Sequence, residues 1–227
     1  MKNILVQSLY SKLKSDIDTY NFIMNLMNYY DLYLFGGGVR DLLNNSLDSV
    51  RDLDFVIKSR NDEEIDLESY IPNHINFKKN RFKGYKIFFD NFIIDIWDIN
   101  NTWAFKYNIL ESSVENLLDS VYLNIDSLLY YLNEDKYINN CDKTYKKIKQ
   151  LDIVLKETPC EKLNLLRALV YKNKYSLKMS NKLKKQFYKY ININNENLIN
   201  EFMRLQKEHY NNYIYTKQEL MHELVSL

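Results

Sequence analysis

Two aspartates separated by one residue form the pair in this sequence best suited to chemistry. Asp52 and Asp54 lie in the segment RDLDFVI at 51–57, whose β-rich composition predicts a strand. Residues two apart on a strand project from one face, so both carboxylates face the same way while the intervening apolar residues face a core. Such a pair can share a hard divalent cation with phosphate oxygens and water. The alternative is an exposed strand end without a ligand.

A third carboxylate interrupts the apolar run FIIDIW at 92–97. Burial of an unpaired ion costs several kcal/mol, which indicates a specific role for Asp95. Asp98 is the competing candidate, but the period of two puts it on the opposite strand face from Asp95. Only one of them can therefore join Asp52 and Asp54, and we favour Asp95 because it lies deeper in the apolar run.

Three of the four glycines in the chain lie together at 36–38. They follow the short apolar run Leu32 to Phe35 and precede a predicted helix from Val39 to Asn44. Successive N–H groups in such a turn, backed by a helix N-terminus, can cradle phosphate oxygens. A tight turn without a ligand is the alternative. Beside three carboxylates, a phosphate-binding turn suits phosphoryl transfer assisted by two magnesium ions.

Hydrophobic periodicity predicts the elements that position these residues. Residues 1–29 have apolar side chains at helical spacing and predict one or two helices, and 62–70 predicts another. Residues 75–99 predict further strands, including a hairpin with a two-residue turn at Asp90-Asn91. From about 110 onward glycine is absent and the spacing is helical, which predicts helix throughout.

Charge divides the chain into the same two parts. Residues 1–140 carry 14 Lys/Arg and 21 Asp/Glu, whereas residues 141–227 carry 17 and 9. An acidic part can gather cations and a basic part can hold a polyanion, as in enzymes that act on nucleic acid. The sequence thus predicts an α+β fold, with a small mixed sheet flanked by helices in 1–140 and an all-α domain in 141–227.

Several other classes of protein are disfavoured. The two cysteines and three histidines show no zinc-ligand spacing, and the N-terminal apolar run is too short for a signal peptide. No run of about 18 apolar residues occurs, so we expect a cytoplasmic protein without membrane contact. The glycine pattern fails the dinucleotide-binding motif at Asp41, and the Gly-Lys-Ser/Thr of a P-loop is missing.

The runs FGGGVRDLL at 35–43 and RDLDFV at 51–56 together resemble one known family. They are similar to the head domain of bacterial CCA-adding tRNA nucleotidyltransferases and their poly(A) polymerase relatives, within the DNA polymerase β superfamily. The resemblance implies a nucleotidyltransferase head followed by a helical, neck-like domain. It also implies roles for individual residues: the incoming triphosphate on Gly36, Gly37, Arg40 and Asp41, magnesium on Asp52 and Asp54, and activation of a 3′-hydroxyl by Asp95. Without the resemblance, Arg40 is a charge on a helix surface.

Two later segments resemble the family but depart from its motifs. LDSVYLNID at 118–126 replaces an Arg-Arg-Asp-Phe-Thr-Ile-Asn-Ala motif, from which Asn124 and the hydrophobic pattern survive. EKLNLLRA at 161–168 resembles the motif Glu-Asp-x-x-Arg-Leu-Leu-Arg-Ala, whose Asp and first Arg select CTP and ATP. Those two positions hold Glu161 and Asn164 here, while Arg167 remains. The resemblance implies nucleotide binding by Asn124, Glu161 and Arg167.

The segment 171–190 is basic, contains no acid and alternates cations with aromatic rings. Lysines can contact phosphates and rings can stack on bases, which predicts an RNA-binding surface. The lysines in question are Lys172, Lys174, Lys178, Lys182, Lys184, Lys185 and Lys189. The alternative is a solvated helix face with its aromatic rings in the core.

The leading functional hypothesis is template-independent transfer of a nucleoside monophosphate from an NTP to an RNA 3′ end, with tRNA as the favoured acceptor. A variant is a defence or toxin-type nucleotidyltransferase that modifies tRNA or another hydroxyl acceptor. A third possibility is a degenerate relative that binds nucleotide or RNA without chemistry. The residues leave the preferred NTP and the oligomeric state open.

Overall fold

The computed structural model describes residues 4–44, 46, 52–61, 65–191 and 195–227. The chain forms two compact units. The first contains residues 1–121 and 125–146, and the second contains residues 122–124 and 147–227. The predicted boundary near 140 was drawn from the helical spacing of the second half and the change in charge, whereas these units are defined by packing.

The first unit is built on a seven-stranded mixed sheet with the order β3-β4-β5-β2-β1-β6-β7. Its strands are β1 (Tyr30–Phe35), β2 (Asp52–Ser59), β3 (Asn76–Lys79), β4 (Tyr85–Phe88), β5 (Ile93–Asp98), β6 (Leu129–Tyr131) and β7 (Lys136–Tyr137). β2 and β5 run parallel, and the other neighbouring strands run antiparallel. This sheet confirms the predicted α+β class with a mixed sheet.

One face of the sheet packs into an apolar core. Leu34, Phe55 and Ile96 are 0% exposed on this face. Burial of each such apolar side chain stabilises the folded state by roughly 1.5–3 kcal/mol. Helices cover it because their own apolar stripes need the same partner. The helices of this unit are α1 (Ile4–Leu13), α2 (Ile17–Tyr29), α3 (Gly37–Leu43), α4 (Trp103–Lys106) and α5 (Cys141–Tyr145).

The start of α2 is tied to the hairpin between β4 and β5. Asp16 is 7% exposed, and its carboxylate accepts from the backbone N–H of Thr19 at 3.1 Å as the N-cap. Its second oxygen accepts from the backbone N–H of Asn91 at 2.9 Å. The hairpin turn has the predicted two residues, Asp90 and Asn91, closed by a 2.9 Å bond from Phe89 N–H to the Phe92 carbonyl.

The second unit is helical apart from a short parallel pair of strands. Its helices are α6 (Glu161–Lys174), α7 (Asn181–Ile191), α8 (Asn195–Tyr210) and α9 (Lys217–Val225), and its strands are β8 (Gln150–Leu151) and β9 (Lys178–Met179). Leu166, Phe187, Phe202 and Leu220 are 0% exposed and form the centre of its core. Inside this core Gln206, also 0% exposed, accepts backbone N–H groups of Ile214 and Tyr215 and so orders the turn before α9.

Two predictions of local structure were wrong. The helix predicted over 62–70 begins outside the described residues, and its described part is irregular chain followed by a 3-10 turn at Glu68–Tyr70. Continuous helix from 110 was also wrong, because β6 and β7 join the sheet and much of 110–140 is turns. Short strands of two or three residues carry too little periodicity to be distinguished from helix.

Across the described part of the chain, no helix is both long enough and apolar enough to span a membrane.

Candidate active site

The parallel pairing of β2 with β5 brings two of the predicted carboxylates side by side. Asp54 is the direct cross-strand partner of Asp95, and Asp52 is the partner of Ile93. Because the side-chain period is two, Asp52, Asp54 and Asp95 all project from the sheet face opposite the apolar core. Asp52 is exposed, whereas Asp54 and Asp95 are half-buried. The three predicted metal ligands therefore share one face of adjacent strands.

Asp98 has a different environment at the end of β5. Its cross-strand partner is Ile57, so it lies on the core side of the strand. Its carboxylate accepts from the backbone N–H of Asn100 at 2.7 Å and caps a 3-10 turn. Burial raises the pKa of Asp98, with a smaller opposing effect of the hydrogen bonds from Asn100. Asp98 thus stabilises a local turn, and its register separates it from Asp54.

A lysine from the neighbouring strand contacts the third carboxylate. Lys86 of β4 is the cross-strand partner of Asp95, and its Nζ lies 2.5 Å from Asp95 Oδ2. The pair is partly exposed, with 41% of the Lys86 side chain and 26% of the Asp95 side chain accessible. Within the described residues, no group of three His, Cys, Asp or Glu side chains is converged enough to hold a metal ion. The Lys86 ammonium therefore occupies one carboxylate oxygen of Asp95 that a metal ion would otherwise bind.

The donor set nevertheless fits a hard divalent cation by its chemistry. Carboxylate oxygens are the protein ligands that Mg²⁺ prefers, and Asp52, Asp54 and Asp95 present only such atoms on one face. No sulfur or imidazole ligand interrupts this face at the three positions. Binding would require Asp95 to exchange the Lys86 ammonium for the cation.

The glycine turn joins β1 to α3 beside these strands. Gly36 has φ +59° and ψ −119°, a conformation that side chains strongly disfavour, and it is the N-cap of α3. A Cβ at Gly38 would lie 3.0 Å from Leu34 Cδ1 and 3.2 Å from Leu53 Cδ2, so this glycine allows the helix to pack closely on the sheet. A Cβ at Gly37 would lie 3.3 Å from Arg40 Nη2. Each of the three positions thus favours glycine for a different structural reason.

Arg40 is buried, which contradicts its interpretation as a helix-surface charge. It is 6% exposed and forms an ion pair with Asp126, whose side chain is 13% exposed. Asp126 is the last residue of the segment 118–126, which departs from the family motif. The backbone of Asp41, the other predicted triphosphate ligand in this helix, accepts from Ser46 N–H at 2.9 Å. The pair of Arg40 and Asp126 braces α3 at the glycine turn.

In the second unit, the predicted nucleotide-selecting residues lie along one face of α6. Glu161, Asn164 and Arg167 follow each other at intervals of three residues, which places them on one side of the helix. Glu161 accepts from Tyr190 Oη at 2.7 Å, and Arg167 Nη2 donates to Tyr171 Oη at 3.0 Å. Burial, and then the hydrogen bond to Glu161, raise the pKa of Tyr190 to about 12, so its hydroxyl is a donor at neutral pH.

The side chain of Asn124 bonds to backbone atoms of the same unit. Its Nδ2 donates to the Gln150 carbonyl at 3.0 Å, and its Oδ1 accepts from the Asp152 N–H at 3.0 Å. The backbone N–H of Asn124 in turn donates to the Asp152 carbonyl at 3.0 Å. This residue therefore links the segment 122–124 to the rest of the second unit.

The lysines predicted to bind RNA differ in their surroundings. Lys172 pairs with Glu223, Lys182 donates to the Ile153 carbonyl, Lys184 donates to the Leu227 carbonyl, and Lys189 donates to Gln186. Lys174, Lys178 and Lys185 are exposed, and Lys174 lies 5.3 Å from the ring centroid of Tyr175. Contacts to phosphate cost least at these three, because no ion pair has to be broken among the described residues.

Two of the aromatic rings in the segment 171–190 are buried in the core and so are not available to stack on bases. Phe187 is 0% and Tyr171 is 7% exposed, so both rings pack in the core of the second unit. Tyr188, at 39% exposure, is the ring most open to solvent in this segment. The alternative interpretation, aromatic residues in the core behind a basic surface, is therefore correct for Phe187 and Tyr171.

Two residues of this region were missed by the sequence analysis, namely Lys86 and Asp126. Both act through partners that are distant in the chain, nine residues away for Lys86 and 86 residues away for Asp126. Lys86 had a signal, since it lies in a predicted strand next to the strand of Asp95. Asp126 had none beyond being an acid near a recognisable motif.

Comparisons with known proteins find relatives in structure but not in sequence. No family model and no curated protein sequence matches the chain. A CCA-adding enzyme in complex with ATP matches with a TM-score of 0.62 at 14% identity, over 95% of this chain and 53% of that chain. A CCA-adding enzyme with CTP matches with a TM-score of 0.60 at 16% identity, over 87% and 47%.

A third solved structure gives the same result. The Thermotoga maritima CCA-adding enzyme complexed with tRNA matches with a TM-score of 0.58 at 15% identity, over 87% of this chain and 46% of that chain. The present chain spans about half the length of these enzymes. At such low identity the likeness is one of architecture. The chain has the fold of the CCA-adding enzymes.

Proposed function

We propose that this protein is a magnesium-dependent nucleotidyltransferase that transfers a nucleoside monophosphate from an NTP to an RNA 3′ end and releases pyrophosphate. The observation that carries the proposal is the alignment of Asp54 with Asp95, with Asp52 on the same face, beside a glycine turn. Support also comes from the fold, which is shared with CCA-adding enzymes solved with ATP, CTP and tRNA. We propose tRNA as the acceptor.

Each part of the site has a separate task in this proposal. The backbone N–H groups at the start of α3 bind triphosphate oxygens, because the first N–H groups of a helix have no acceptor within it. Arg40, paired with Asp126, fixes the first turn of α3 and offers guanidinium N–H donors near the glycine turn. Asp52, Asp54 and Asp95 hold the magnesium, which when bound supplies a Lewis acid at the phosphoryl oxygens. Asp95 would also be the group that accepts the proton of the acceptor hydroxyl.

In the second unit, we propose that the face of α6 with Glu161, Asn164 and Arg167 binds a nucleotide. Glu161 and Asn164 already have protein partners in Tyr190 and Thr158. Asn164 carries an amide where the resembling motif has a guanidinium, and Glu161 carries the carboxylate of the motif's Asp on a longer side chain. The proposed nucleotide preference is therefore not restricted to CTP and ATP.

The test is a transfer assay with purified protein, magnesium, total RNA and each labelled NTP in turn, with the products resolved by size. We expect label in RNA of tRNA size, and we expect no label with the Asp52→Ala/Asp54→Ala double variant. The melting temperature of that variant should be unchanged or higher, because removal of neighbouring carboxylates relieves repulsion. Labelled protein or small molecules in place of RNA would refute the proposed acceptor. Activity that persists in the double variant would refute the metal site.

A further inference from the structure

A row of charged residues crosses four strands of the first unit through the candidate site. Cross-strand pairing places Lys78 of β3 opposite Lys86 of β4, Lys86 opposite Asp95 of β5, and Asp95 opposite Asp54 of β2. Direct cross-strand partners share a sheet face, so all four side chains project from the face of the carboxylates. The row is positive toward the β3 edge and negative at its centre.

Two lysines directly opposite each other are unfavourable without an anion, because like charges at such positions repel. Lys86 has Asp95 as its counter-ion, whereas Lys78 is exposed and its Nζ lies 5.7 Å from the ring centroid of Phe88. The segment 75–89 holds five cations and no acid, although residues 1–140 are net acidic. An anionic ligand on this face of the hairpin would relieve the repulsion between Lys78 and Lys86.

The position of the row indicates which anion its lysines would bind. The glycine turn follows β1, on one side of β2, whereas Lys86 and Lys78 lie beyond Asp95 on the other side. In phosphoryl transfer the attacking oxygen and the leaving oxygen lie roughly in line, on opposite sides of the phosphorus. If the triphosphate occupies the glycine turn, the 3′ end of the acceptor RNA, which carries the attacking oxygen, approaches from the side of Asp95 and the two lysines.

We propose that Lys78 and Lys86 bind backbone phosphates of the acceptor RNA next to its 3′ end. Lys86 pairs with Asp95 in the free protein and moves to a phosphate when RNA is bound, which leaves the Asp95 carboxylate to the cation. This inference rests on the proposed function for the identity of the anion. The hairpin of β3 and β4 is then the acceptor-binding surface of the first unit.

The hairpin contains a matched control for this surface. Lys79 is adjacent to Lys78 in β3 but projects from the opposite face, where it pairs with Glu68 and lies 5.2 Å from the ring centroid of Tyr85. Substitution of Lys79 removes one positive charge from the same hairpin, as substitution of Lys78 alone does. It leaves the row with Asp95 and Asp54 unchanged.

The experiment measures binding of a short, fluorescently labelled single-stranded RNA by anisotropy, in EDTA, at several salt concentrations. For the double variant Lys78→Gln/Lys86→Gln we expect weaker binding and a salt slope smaller by about 0.7 for each of two lost phosphate contacts. Lys79→Gln should reduce the slope by much less. Gln at 86 still offers a hydrogen-bond donor to Asp95, and Lys78→Gln alone tests an exposed position that folding does not require.

A second arm separates the two possible sources of phosphate. Binding of a fluorescent ATP analogue in magnesium should be unchanged in the double variant. Weaker analogue binding with an unchanged RNA slope would assign the lysines to the triphosphate and overturn the inference, as would an equal effect of Lys79→Gln. Lysine-dependent RNA binding in a protein that transfers no nucleotide would refute the proposed enzyme and leave this surface standing. If the protein transfers nucleotide but the double variant keeps the wild-type salt slope, the proposed enzyme stands and this RNA-binding surface is refuted.

Discussion

At the scale of single residues, the candidate site depends on strand register. Asp54 and Asp95 are 41 positions apart in the chain but become direct neighbours because β2 and β5 pair in parallel. A shift of one residue in this pairing would place Asp95 in the apolar core and Asp98 toward the solvent face. The buried residue Ile96, the cross-strand partner of Phe55, disfavours such a shift because it would leave the core.

Register also separates the roles of Asp95 and Asp98, and this can be tested with two equivalent substitutions. We expect Asp95→Asn to abolish nucleotide transfer, because an amide is a poor ligand for magnesium and a poor proton acceptor. Asp98→Asn should retain transfer, since asparagine can still accept the N–H of Asn100 as a cap. The measurement is the initial rate of transfer for both variants. Equal losses would show that position 98 belongs to the site.

The Asp98→Asn variant also makes a prediction for the dependence of stability on pH, which thermal unfolding at several pH values measures. Burial raises the pKa of Asp98, so the folded state disfavours its charged form. Wild-type stability therefore gains from this group as the pH falls through its folded pKa toward the unfolded value of about 3.9. Asp98→Asn should be at least as stable as wild type at pH 7, and any advantage should vanish below about pH 4.

Arg40 shows how burial changes the meaning of a residue. Its side chain is 7% exposed beside Asp126, so neither charge can be removed alone without leaving the other buried. Loss of activity in a single Arg40 variant would therefore mix lost folding with lost triphosphate binding. The charge of Arg40 serves the packing of α3 as well as the proposed site.

At the scale of elements, the glycine turn and the β4–β5 hairpin are positioned by contacts distant in sequence. The Gly36 N–H donates to the Leu128 carbonyl at 2.8 Å, which ties the turn to the segment leading into β6. Asp16 ties the first turn of α2 to the hairpin through Asn91. These links fix the glycine turn against the segment before β6, and the β4–β5 hairpin against α2.

We expect Asp16→Ala to lower the free energy of unfolding by about 2 kcal/mol, because it removes an N-cap and leaves the Asn91 N–H without its acceptor. The measurement is urea denaturation followed by circular dichroism. Asp90→Ala, an exposed change in the same hairpin turn, is the control and should stay within about 0.5 kcal/mol. A loss as small as the control's would mean that Asp16 does not brace the hairpin.

At the scale of the whole molecule, charge and packing divide the chain similarly. The net charges of 1–140 and 141–227 have opposite signs, and the compact units meet in sequence at 146–147. Residues 122–124 belong by packing to the second unit although they lie within the first in sequence. The Asn124 amide anchors this segment through Gln150 and Asp152, together with the bridge between Leu123 and Ile153.

The second unit should contribute to RNA binding through its exposed lysines. We expect Lys174→Gln/Lys178→Gln/Lys185→Gln to reduce the salt slope of tRNA binding by about 0.7–0.9 for each phosphate contact. Lys207→Gln, an exposed lysine on α8, serves as the control for a general loss of charge and should have little effect. If the triple variant keeps the wild-type slope, this surface is a solvated helix face.

The sequence by itself determined the local parts of this protein. Apolar spacing predicted α1, α2, α3 and the central strands, and the period of two placed Asp52 and Asp54 together and set Asp95 apart from Asp98. These features depend on residues near each other in the chain, whose geometry follows from one strand or helix.

Only the tertiary structure decided which distant residues meet. It placed β6 beside β1, buried Arg40 against Asp126 and aligned Lys78 and Lys86 with the carboxylates. Such pairings depend on the order and register of the strands. One hydrophobic pattern is compatible with several orders and registers. The burial of core side chains from the whole unit selects one of them, and that selection brings two lysines beside Asp95.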